Sequence, residues 1–306
     1  MSMEQAYVYR SKFEQDGIDC MEMFGGKGTT TYILSKHHNL KTGVNFELTV
    51  GIDLLKEDDV RYLFAYIERN KPKVILMAPV CKGYSEWGHP NRRINHDAWL
   101  ASRRISVPLA KLSGKVAKAQ VDSGRHFLVE QPQGSGLFQE KEWTELSDLC
   151  YPVTFDQCMV GLKMQQHPWW PVKKPAECRA SHPSLIAFLQ NLRCSGNHPH
   201  AHIGKWSDDD RPTARSSEMQ VWPLEPCRRI AAGVVECIMS MSNSVKTYAA
   251  RKKPDKDDKN DPKRKVTASN NSADDHDKAA VCPAYKGHIR KTDDRHTRGP
   301  ESNFVM

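Results

Sequence analysis

The chain has 306 residues, with 45 Lys and Arg against 37 Asp and Glu, and its formal net charge is +8. No apolar run approaches the roughly 20 residues of a membrane span, and the first residues lack the charged-then-apolar layout of a signal peptide. The nine cysteines are scattered without paired spacing, which favours reduced thiols over a disulfide framework. We therefore expect an intracellular protein without a membrane segment.

The first predicted strand covers residues 17–24 and follows a polar arm over 1–16. It runs into a glycine turn over 25–28 and then into a predicted helix over 29–36. A strand, a glycine turn and a helix in this order bring backbone N–H groups and the positive end of a helix up to a ligand. Glu22 stands just before the turn, where a carboxylate can meet an ammonium or ribose group. The glycine spacing matches neither the phosphate loop of nucleotide triphosphatases nor the turn of standard dinucleotide enzymes.

A second short strand is predicted over residues 48–53 and ends in Asp53. An acid at this position bonds the ribose hydroxyls of a nucleoside or caps the following helix, and the sequence leaves both roles open. That helix is predicted over 58–70 from its amphipathic pattern.

A fully buried strand is predicted over residues 73–77, after which the chain turns and places Cys81 at the carboxyl end of the strand. Ligands and reacting groups collect at that edge in open α/β sheets. Cys81 is therefore a candidate nucleophile. The alternative is a cysteine that packs as a small hydrophobic side chain.

A polar, loop-like stretch is predicted over residues 86–102, and loops that follow a reactive strand end often cover the substrate. Its arginines meet phosphates or belong to an ordinary solvated loop. The candidate phosphate contacts in and around this stretch are Lys82, Ser85, Arg92, Arg93, Arg103 and Arg104.

A further strand is predicted over residues 125–132, with Glu130 near its end. One crossover helix, predicted around 109–119, separates it from the strand that precedes Cys81. Parallel strands joined in this way are usually neighbours in the sheet. We therefore expect the thiol and the carboxylate to open onto the same crevice.

The α/β core is expected to cover residues 17–160, and a smaller irregular region over 161–245 is expected to end in a closing helix near Pro226. This region contains residue types that bind metals, with Cys178 as a further candidate, but no C-x-x-C pair. We therefore predict no metal site. The alternative, a zinc-held nucleic-acid module, would use Cys194, His198, His200 and His202.

The last predicted region, residues 246–306, contains 15 Lys and Arg and 10 Asp and Glu with few large apolar side chains. Such a segment cannot bury enough apolar surface to offset its chain entropy, so we predict a disordered basic tail. A basic tail suits polyanion binding through counterion release.

Methylation of cytosine at C5 needs the groups that these patterns bring together. A thiolate must add to C6 of the base, an acid must protonate N3, and a methyl donor must lie across the crevice on the glycine turn. The target base must also leave the duplex stack to reach the thiol.

Three segments resemble, in order, the cofactor loop, the Pro-Cys loop and the Glu-containing strand of cytosine-5 DNA methyltransferases: residues 19–28, 78–85 and 127–132. Over residues 18–240 the chain is still more similar to the methyltransferase-like domain of retrotransposon polyproteins. The family's Pro-Pro-Cys is Pro-Val-Cys in this chain, and its Glu-Asn-Val is Glu-Gln-Pro. Between Gly28 and Val74 the sequence predicts one strand where a full methyltransferase sheet has two.

The resemblance implies the Rossmann-like sheet of class I S-adenosylmethionine-dependent methyltransferases, with Cys81 as the nucleophile and Glu130 protonating N3. It implies nucleic acid, in the first place DNA, as the partner. The chain would be nuclear if it acts on chromosomal DNA, and it would be part of a polyprotein if it comes from a mobile element. The implied S-adenosylmethionine site comprises Glu22, Phe24, Gly25, Gly26, Gly28, Asp53 and Pro79.

The main alternative is a catalytically inactive, retrotransposon-derived module of the same fold that binds nucleic acid. Binding of S-adenosylmethionine distinguishes the two, because an inactive relic is expected to show no stabilisation by the cofactor. An amino-methyltransferase for adenine is less favoured, because those enzymes have an aromatic residue where this chain has Cys81. A thiol cannot stack on a flipped base.

Overall fold

The structure is a computed structural model that describes residues 17–85, 92–164, 168–201 and 220–251. The predicted arm over 1–16, His202 and the predicted tail beyond residue 251 lie outside the described residues.

One sheet organises the described part of the chain. Its strands are β1 (Cys20–Met23), β2 (Val74–Met77), β3 (His126–Pro132), β4 (Tyr151–Asp156) and β5 (Pro175–Ala180), in the spatial order β1-β2-β3-β5-β4. β1, β2 and β3 pair in parallel, whereas β5 pairs antiparallel with both β3 and β4. Four strands therefore point in the same direction. With helices on both faces, this is a Rossmann-like α/β fold, and the predicted fold class is confirmed.

The helices connect the strands and cover both faces of the sheet. They are α1 (Thr29–His38), α2 (Glu57–Asn70), α3 (His96–Asp122), α4 (Lys141–Thr144), α5 (Ser184–Ala187) and α6 (Leu224–Arg251). No helix in the described ranges combines the length and the apolar character needed to cross a membrane.

Alternate strand residues divide between two apolar cores. Met21 and Phe127 belong to the core that α2, α3 and α4 cover, whereas Cys20 and Leu128 belong to the core that α1, α5 and α6 cover. Burial on both faces explains why β1 and β2 are continuous apolar runs in the sequence.

The predicted strand over residues 48–53 is wrong. Leu48–Val50 form a single 3₁₀ turn that ends at Gly51, where φ is +84°. None of these three residues is buried, so their β-branched and aliphatic side chains have no sheet face to pack against. The contact with β1 comes earlier in the chain, where Thr42 and Phe46 form isolated parallel bridges with Cys20 and Met23.

The predicted loop over residues 86–102 is wrong from His96 onward, because α3 begins there. The Asn95 side chain caps this helix by accepting a hydrogen bond from Ala98 N at 3.2 Å. Residues 95–98 are all exposed, so this part of the helix lacks the apolar periodicity that predicts a helix.

The closing helix begins close to its predicted start but is longer than expected. α6 begins at Leu224, which places Pro226 in its first turn. Gly233 lets α6 approach α5, since a Cβ at this position would lie 2.7 Å from Ser184 O.

The region predicted as irregular, residues 161–245, contributes strand β5 to the sheet. β5 lies between β3 and β4, so residues on both sides of position 160 form one sheet.

Candidate active site

Cys81 lies in a tight turn that follows β2. Its carbonyl oxygen accepts hydrogen bonds from Tyr84 N at 2.9 Å and Ser85 N at 3.0 Å. Gly83 N donates to Ser106 Oγ of α3 at 3.1 Å, and a Cβ at Gly83 would lie only 3.0 Å from the same side chain. The turn that carries the thiol is therefore fastened to α3.

A second anchor for the Cys81 loop comes from β3. The Gln131 amide donates to Pro79 O at 2.6 Å, and Ser135 Oγ donates in turn to Gln131 Oε1 at 2.9 Å. Gln131 is only 1% exposed, so its amide needs these partners. Gln131 was not among the predicted site residues, although a glutamine inside an apolar strand next to Glu130 indicates such a role.

Glu130 is buried at the end of β3, with 7% of its surface exposed. Its Oε1 atom has no hydrogen-bond partner among the described residues. Burial raises the pKa of Glu130 from its usual 4.5 to about 7, although the charge of Lys174 opposes this shift. The carboxyl group is therefore poised to give or accept a proton near neutral pH.

Cys81 and Glu130 belong to one electrostatic cluster. Burial raises the pKa of the Cys81 thiol, the Glu130 carboxylate raises it further, and Lys174 lowers it. The structure thus brings the two residues together at the carboxyl edge of the sheet. Lys174, which directly precedes the antiparallel strand β5, also belongs to this cluster. Residue spacing in the sequence does not predict this contact, because β5 follows β3 only after β4 and a long connection.

The glycine turn after β1 is held by side chains of the protein itself. Gly25 N donates to Asn45 Oδ1 at 3.3 Å, and Gly26 N donates to Glu47 Oε2 at 3.1 Å. A Cβ at Gly25 would collide with Glu22 and Asn45, so this position requires glycine. Phe24, just before the turn, is a non-glycine residue with φ of +58°, a strained conformation that is concentrated at functional sites.

Glu22 occupies the amino end of α1. Its Oε1 atom accepts a hydrogen bond from Thr31 N at 2.6 Å, and burial raises the pKa of this carboxyl group. Gly28, at the same end of the helix, donates its N–H to Gly25 O at 2.9 Å. The place where a helix would bind a phosphate is thus filled by a carboxylate of the chain.

Glu47, which was not among the predicted site residues, lies beside the glycine turn. Asp53 Oδ1 accepts a hydrogen bond from Leu55 N at 3.1 Å, in the loop that leads into α2. Glu47 directly follows Phe46, which bridges to β1, and its carboxylate contacts Gly26. Acids at the end of the second parallel segment bind ribose hydroxyls in nucleotide-binding α/β folds. The sequence analysis missed Glu47 because it placed the second strand too late in the chain.

These contacts test which cofactor the turn fits. Phosphate is disfavoured, because two carboxylates flank the turn and the N–H groups of its three glycines already have partners. A nucleoside with a cationic centre fits better, since Glu47 retains lone pairs for ribose hydroxyls. Phe24 is half-buried and Pro79 is buried, so both provide apolar surface at neighbouring strand ends.

The predicted phosphate contacts fall into two groups. Arg103 stacks over the Tyr84 ring at 4.5 Å and pairs with Glu140 at 3.5 Å, while Tyr84 Oη donates to the same carboxylate at 2.6 Å. Arg103 therefore supports the turn that follows Cys81. The others are exposed except for Ser85, which is half-buried: Lys82, Ser85, Arg92, Arg93 and Arg104.

The predicted metal-binding residue types are partly brought together. Cys194, His198 and His200 cluster with Cys158, which the sequence analysis did not include. Cys178 does not join them, because it lies in β5 opposite Glu130.

Comparison with known proteins gives a distant structural similarity. No protein-family model matches the chain, and no curated protein matches it in sequence. Among solved structures, the chain is similar to a methyltransferase from Pyrococcus furiosus, with 14% sequence identity, 58% of this chain and 82% of that chain covered, and a TM-score of 0.26. A TM-score this low supports no argument, so the fold class rests on the sheet order and the site on its own geometry.

Proposed function

We propose that the chain is an S-adenosylmethionine-dependent methyltransferase that acts on C5 of cytosine in nucleic acid, in the first place DNA. The observation that carries this proposal is the buried carboxyl group of Glu130, which has a pKa of about 7 and lies in the same electrostatic cluster as the Cys81 thiol. Few reactions need a thiol and a neutral carboxylic acid at adjoining strand ends, and addition to a pyrimidine is one of them.

The two residues divide the first step between them. The Cys81 thiolate forms a bond to C6 of cytosine, and the electron pair displaced from the ring is stabilised as N3 takes the proton of Glu130. This turns C5 into a nucleophilic enamine carbon. S-adenosylmethionine supplies a methyl group to that carbon when it is bound. Loss of the C5 hydrogen to water as a proton would then allow the C6–S bond to break, which restores the thiolate, and N3 would return its proton to the Glu130 carboxylate.

Lys174 acts on both groups through its charge. Its positive charge lowers the pKa of both Cys81 and Glu130. It therefore increases the thiolate fraction and limits the upward shift that burial gives the acid. Gln131, through Pro79, is a positioning residue for the cysteine loop.

The cofactor would lie against the glycine turn. Glu47 would accept hydrogen bonds from the ribose, and Phe24 and Pro79 would provide apolar contact. The carboxylates near the turn favour a positively charged sulfonium nucleoside over a phosphate ester.

Several exposed groups support nucleic acid as the substrate. Four exposed cations follow Cys81 in the chain and can meet phosphates: Lys82, Arg92, Arg93 and Arg104. Trp169 and Trp170 are 80% and 52% exposed and are available to stack on unpaired bases.

One observation favours an inactive nucleic-acid-binding module instead. The pKa of the Cys81 thiol is raised above its usual value, so little thiolate is present at neutral pH. An active enzyme must overcome this when substrate binds, whereas a module without activity need not.

Covalent trapping tests the proposal. The purified chain is incubated with S-adenosylmethionine and DNA or RNA that contains 5-fluorocytosine, which cannot lose its C5 substituent as a proton. We expect a covalent adduct that is absent in Cys81→Ser and retained in Cys150→Ser, a control at a half-buried cysteine outside the site. No adduct from folded protein on any of the nucleic acids, together with no thermal stabilisation by S-adenosylmethionine, would establish the inactive module.

A further inference from the structure

A second constellation of titratable side chains lies at the end of β4, apart from the proposed reaction centre. The ligand atoms of Cys158, Cys194, His198 and His200 all lie within 4.8 Å of one another. Cys194 Sγ is 3.7 Å from His198 Nε2 and 3.3 Å from His200 Nε2. In a tetrahedral zinc site with Zn–S of about 2.3 Å and Zn–N of about 2.1 Å, adjacent ligand atoms are about 3.6 Å apart. The two distances from Cys194 match this spacing, and the other pairs lie within 4.8 Å.

The contacts around the cluster orient its members for metal binding. His198 Nδ1 lies 3.1 Å from Asn197 Oδ1, which leaves the Nε2 lone pair directed toward the cluster if Nδ1 carries the proton. Gly196 N donates to Cys194 Sγ at 3.3 Å, which holds the sulfur atom in place beside the two histidines. Such outer contacts accompany metal ligands in proteins.

The segment that carries three of the four residues lacks regular structure. Residues 192–201 form neither helix nor strand. Polar contacts with Asp156 hold its start, since Cys194 N donates to Asp156 Oδ2 at 2.8 Å and Arg193 pairs with the same carboxylate at 3.4 Å. A segment of this kind gains stability from a cross-link, because its own apolar burial is small.

We propose that Cys158, Cys194, His198 and His200 bind one Zn²⁺ ion. Two thiolates and two imidazoles in tetrahedral spacing are the ligand set that zinc prefers. Four protein ligands leave no position for water, so this ion is structural and takes no part in a reaction. It fastens residues 194–200 to the 3₁₀ turn that follows β4, Gln157–Val160.

The zinc site also bears on the neighbouring strand ends. Gln157, next to Cys158, donates its N–H to Lys174 O at 3.0 Å. Arg193, next to Cys194, donates to Gln133 Oε1 at 3.1 Å, just beyond β3. The ion therefore supports the backbone that presents Lys174 and Glu130, although its binding does not depend on the proposed methyl transfer.

Another group of three residues, His126, His182 and Cys237, has a similar composition. It lacks a fourth ligand among the described residues. Ser181 Oγ lies 3.2 Å from His126 Nδ1, and Ser184 N donates to His182 Nδ1 at 3.3 Å. This group serves as the internal control for the four-residue cluster.

Metal analysis of the full-length chain tests the proposal directly. We expect one zinc per chain after purification without added metal, lost in Cys158→Ser and retained in Cys150→Ser and His182→Gln. The proposal is overturned if folded wild-type protein holds no zinc and takes none up, or if Cys158→Ser retains the wild-type content.

Cobalt substitution covers the case in which Cys158→Ser does not fold. Co²⁺ in the wild-type chain should give the visible bands of a tetrahedral site and the near-ultraviolet absorption of two thiolates. His200→Cys keeps four ligands, so we expect it to bind Co²⁺ with the stronger absorption of three thiolates. A cobalt spectrum that is unchanged in His200→Cys would remove His200 from the site and overturn the four-residue assignment.

Discussion

Two cysteine sites lie at the same edge of the sheet, and their surroundings differ. Cys81 is grouped with a lysine and with a buried carboxyl, one oxygen of which has no partner within the described ranges. Cys158 and Cys194 are grouped with two imidazoles at ligand spacing in a partly exposed cluster. The first set shifts pKa values and leaves a polar atom unsatisfied, which suits proton transfer. In the second set, a bound cation would accept the lone pairs of all four side chains, which suits a structural role.

The largest expected effect separates the two cysteine sites. Cys81→Ser should reduce methyl transfer by at least about 10³-fold, because the covalent step is lost, with zinc content unchanged. Cys158→Ser should lower the free energy of unfolding by at least about 3 kcal/mol, because metal binding contributes directly to folding. Activity assays and urea denaturation of both variants measure the contrast. Equal losses of stability in the two variants would mean that the sites do not differ in this way.

Glu130→Gln should slow methyl transfer at pH 7 by roughly 10²- to 10⁴-fold, the usual contribution of a general acid. The reactive form needs the Cys81 thiolate and the protonated acid. In the wild type, thiolate gained above the Glu130 pKa of about 7 is offset by loss of the acid, so the rate should level off between this pKa and the raised pKa of the thiol. It should fall at lower pH, where thiolate is lost, and at higher pH, where only the acid continues to be lost. The amide introduced by Glu130→Gln does not titrate, so the rate of the variant should keep rising above pH 7.

The pH dependence of kcat/KM for both proteins measures this difference. Cys150→Ser provides the control, because Cys150 lies outside the site and should leave the wild-type profile intact. If the Glu130→Gln profile also levels off at pH 7, another group carries that ionisation.

Glu130→Gln should also stabilise the protein at high pH. Glu130 has a folded pKa of about 7 against a usual value of 4.5, so the unfolded state loses its proton first as pH rises. This carboxyl group therefore lowers stability progressively between about pH 4.5 and 7, by about 3 kcal/mol in total. Urea denaturation should show Glu130→Gln to be more stable than the wild type at pH 8, with the difference largely gone at pH 4.5. A difference that is independent of pH would rule out the ionisation as its cause.

The smallest expected effect distinguishes two acids near the glycine turn. Glu47→Gln should weaken S-adenosylmethionine binding roughly tenfold, because a charged hydrogen bond to ribose is lost. Asp53→Asn should leave the affinity unchanged, since Asp53 is engaged in the loop before α2. Calorimetric titration of both variants measures the affinities, and the reverse order would return the ribose contact to Asp53.

The sequence predicted the parts of the fold that depend on local pattern. The apolar runs that became β1, β2 and β3 end at glycine or proline, and their parallel order follows from the helices between them. The segment over 48–53 was misassigned because its residues favour strands by type, yet none of Leu48–Val50 is buried.

The contacts that the sequence did not predict depend on tertiary structure. Lys174 approaches Glu130 through an antiparallel return strand, and Cys158 meets Cys194 across 36 positions of the chain. No spacing rule relates such pairs. Gln131 was not predicted because the sequence does not show that its buried amide holds the Pro79 carbonyl. Glu47 was not predicted because the second strand was placed too late in the chain.

The hydrogen bond from Gln131 to Pro79 joins the strand that carries the acid to the loop that carries the thiol. The distance between the Cys81 sulfur and the Glu130 carboxyl group is consequently set by the sheet and not by a hinged loop. In the proposed reaction, this bond would keep the thiol and the acid at a set separation, so the nucleotide would have to move to meet both groups.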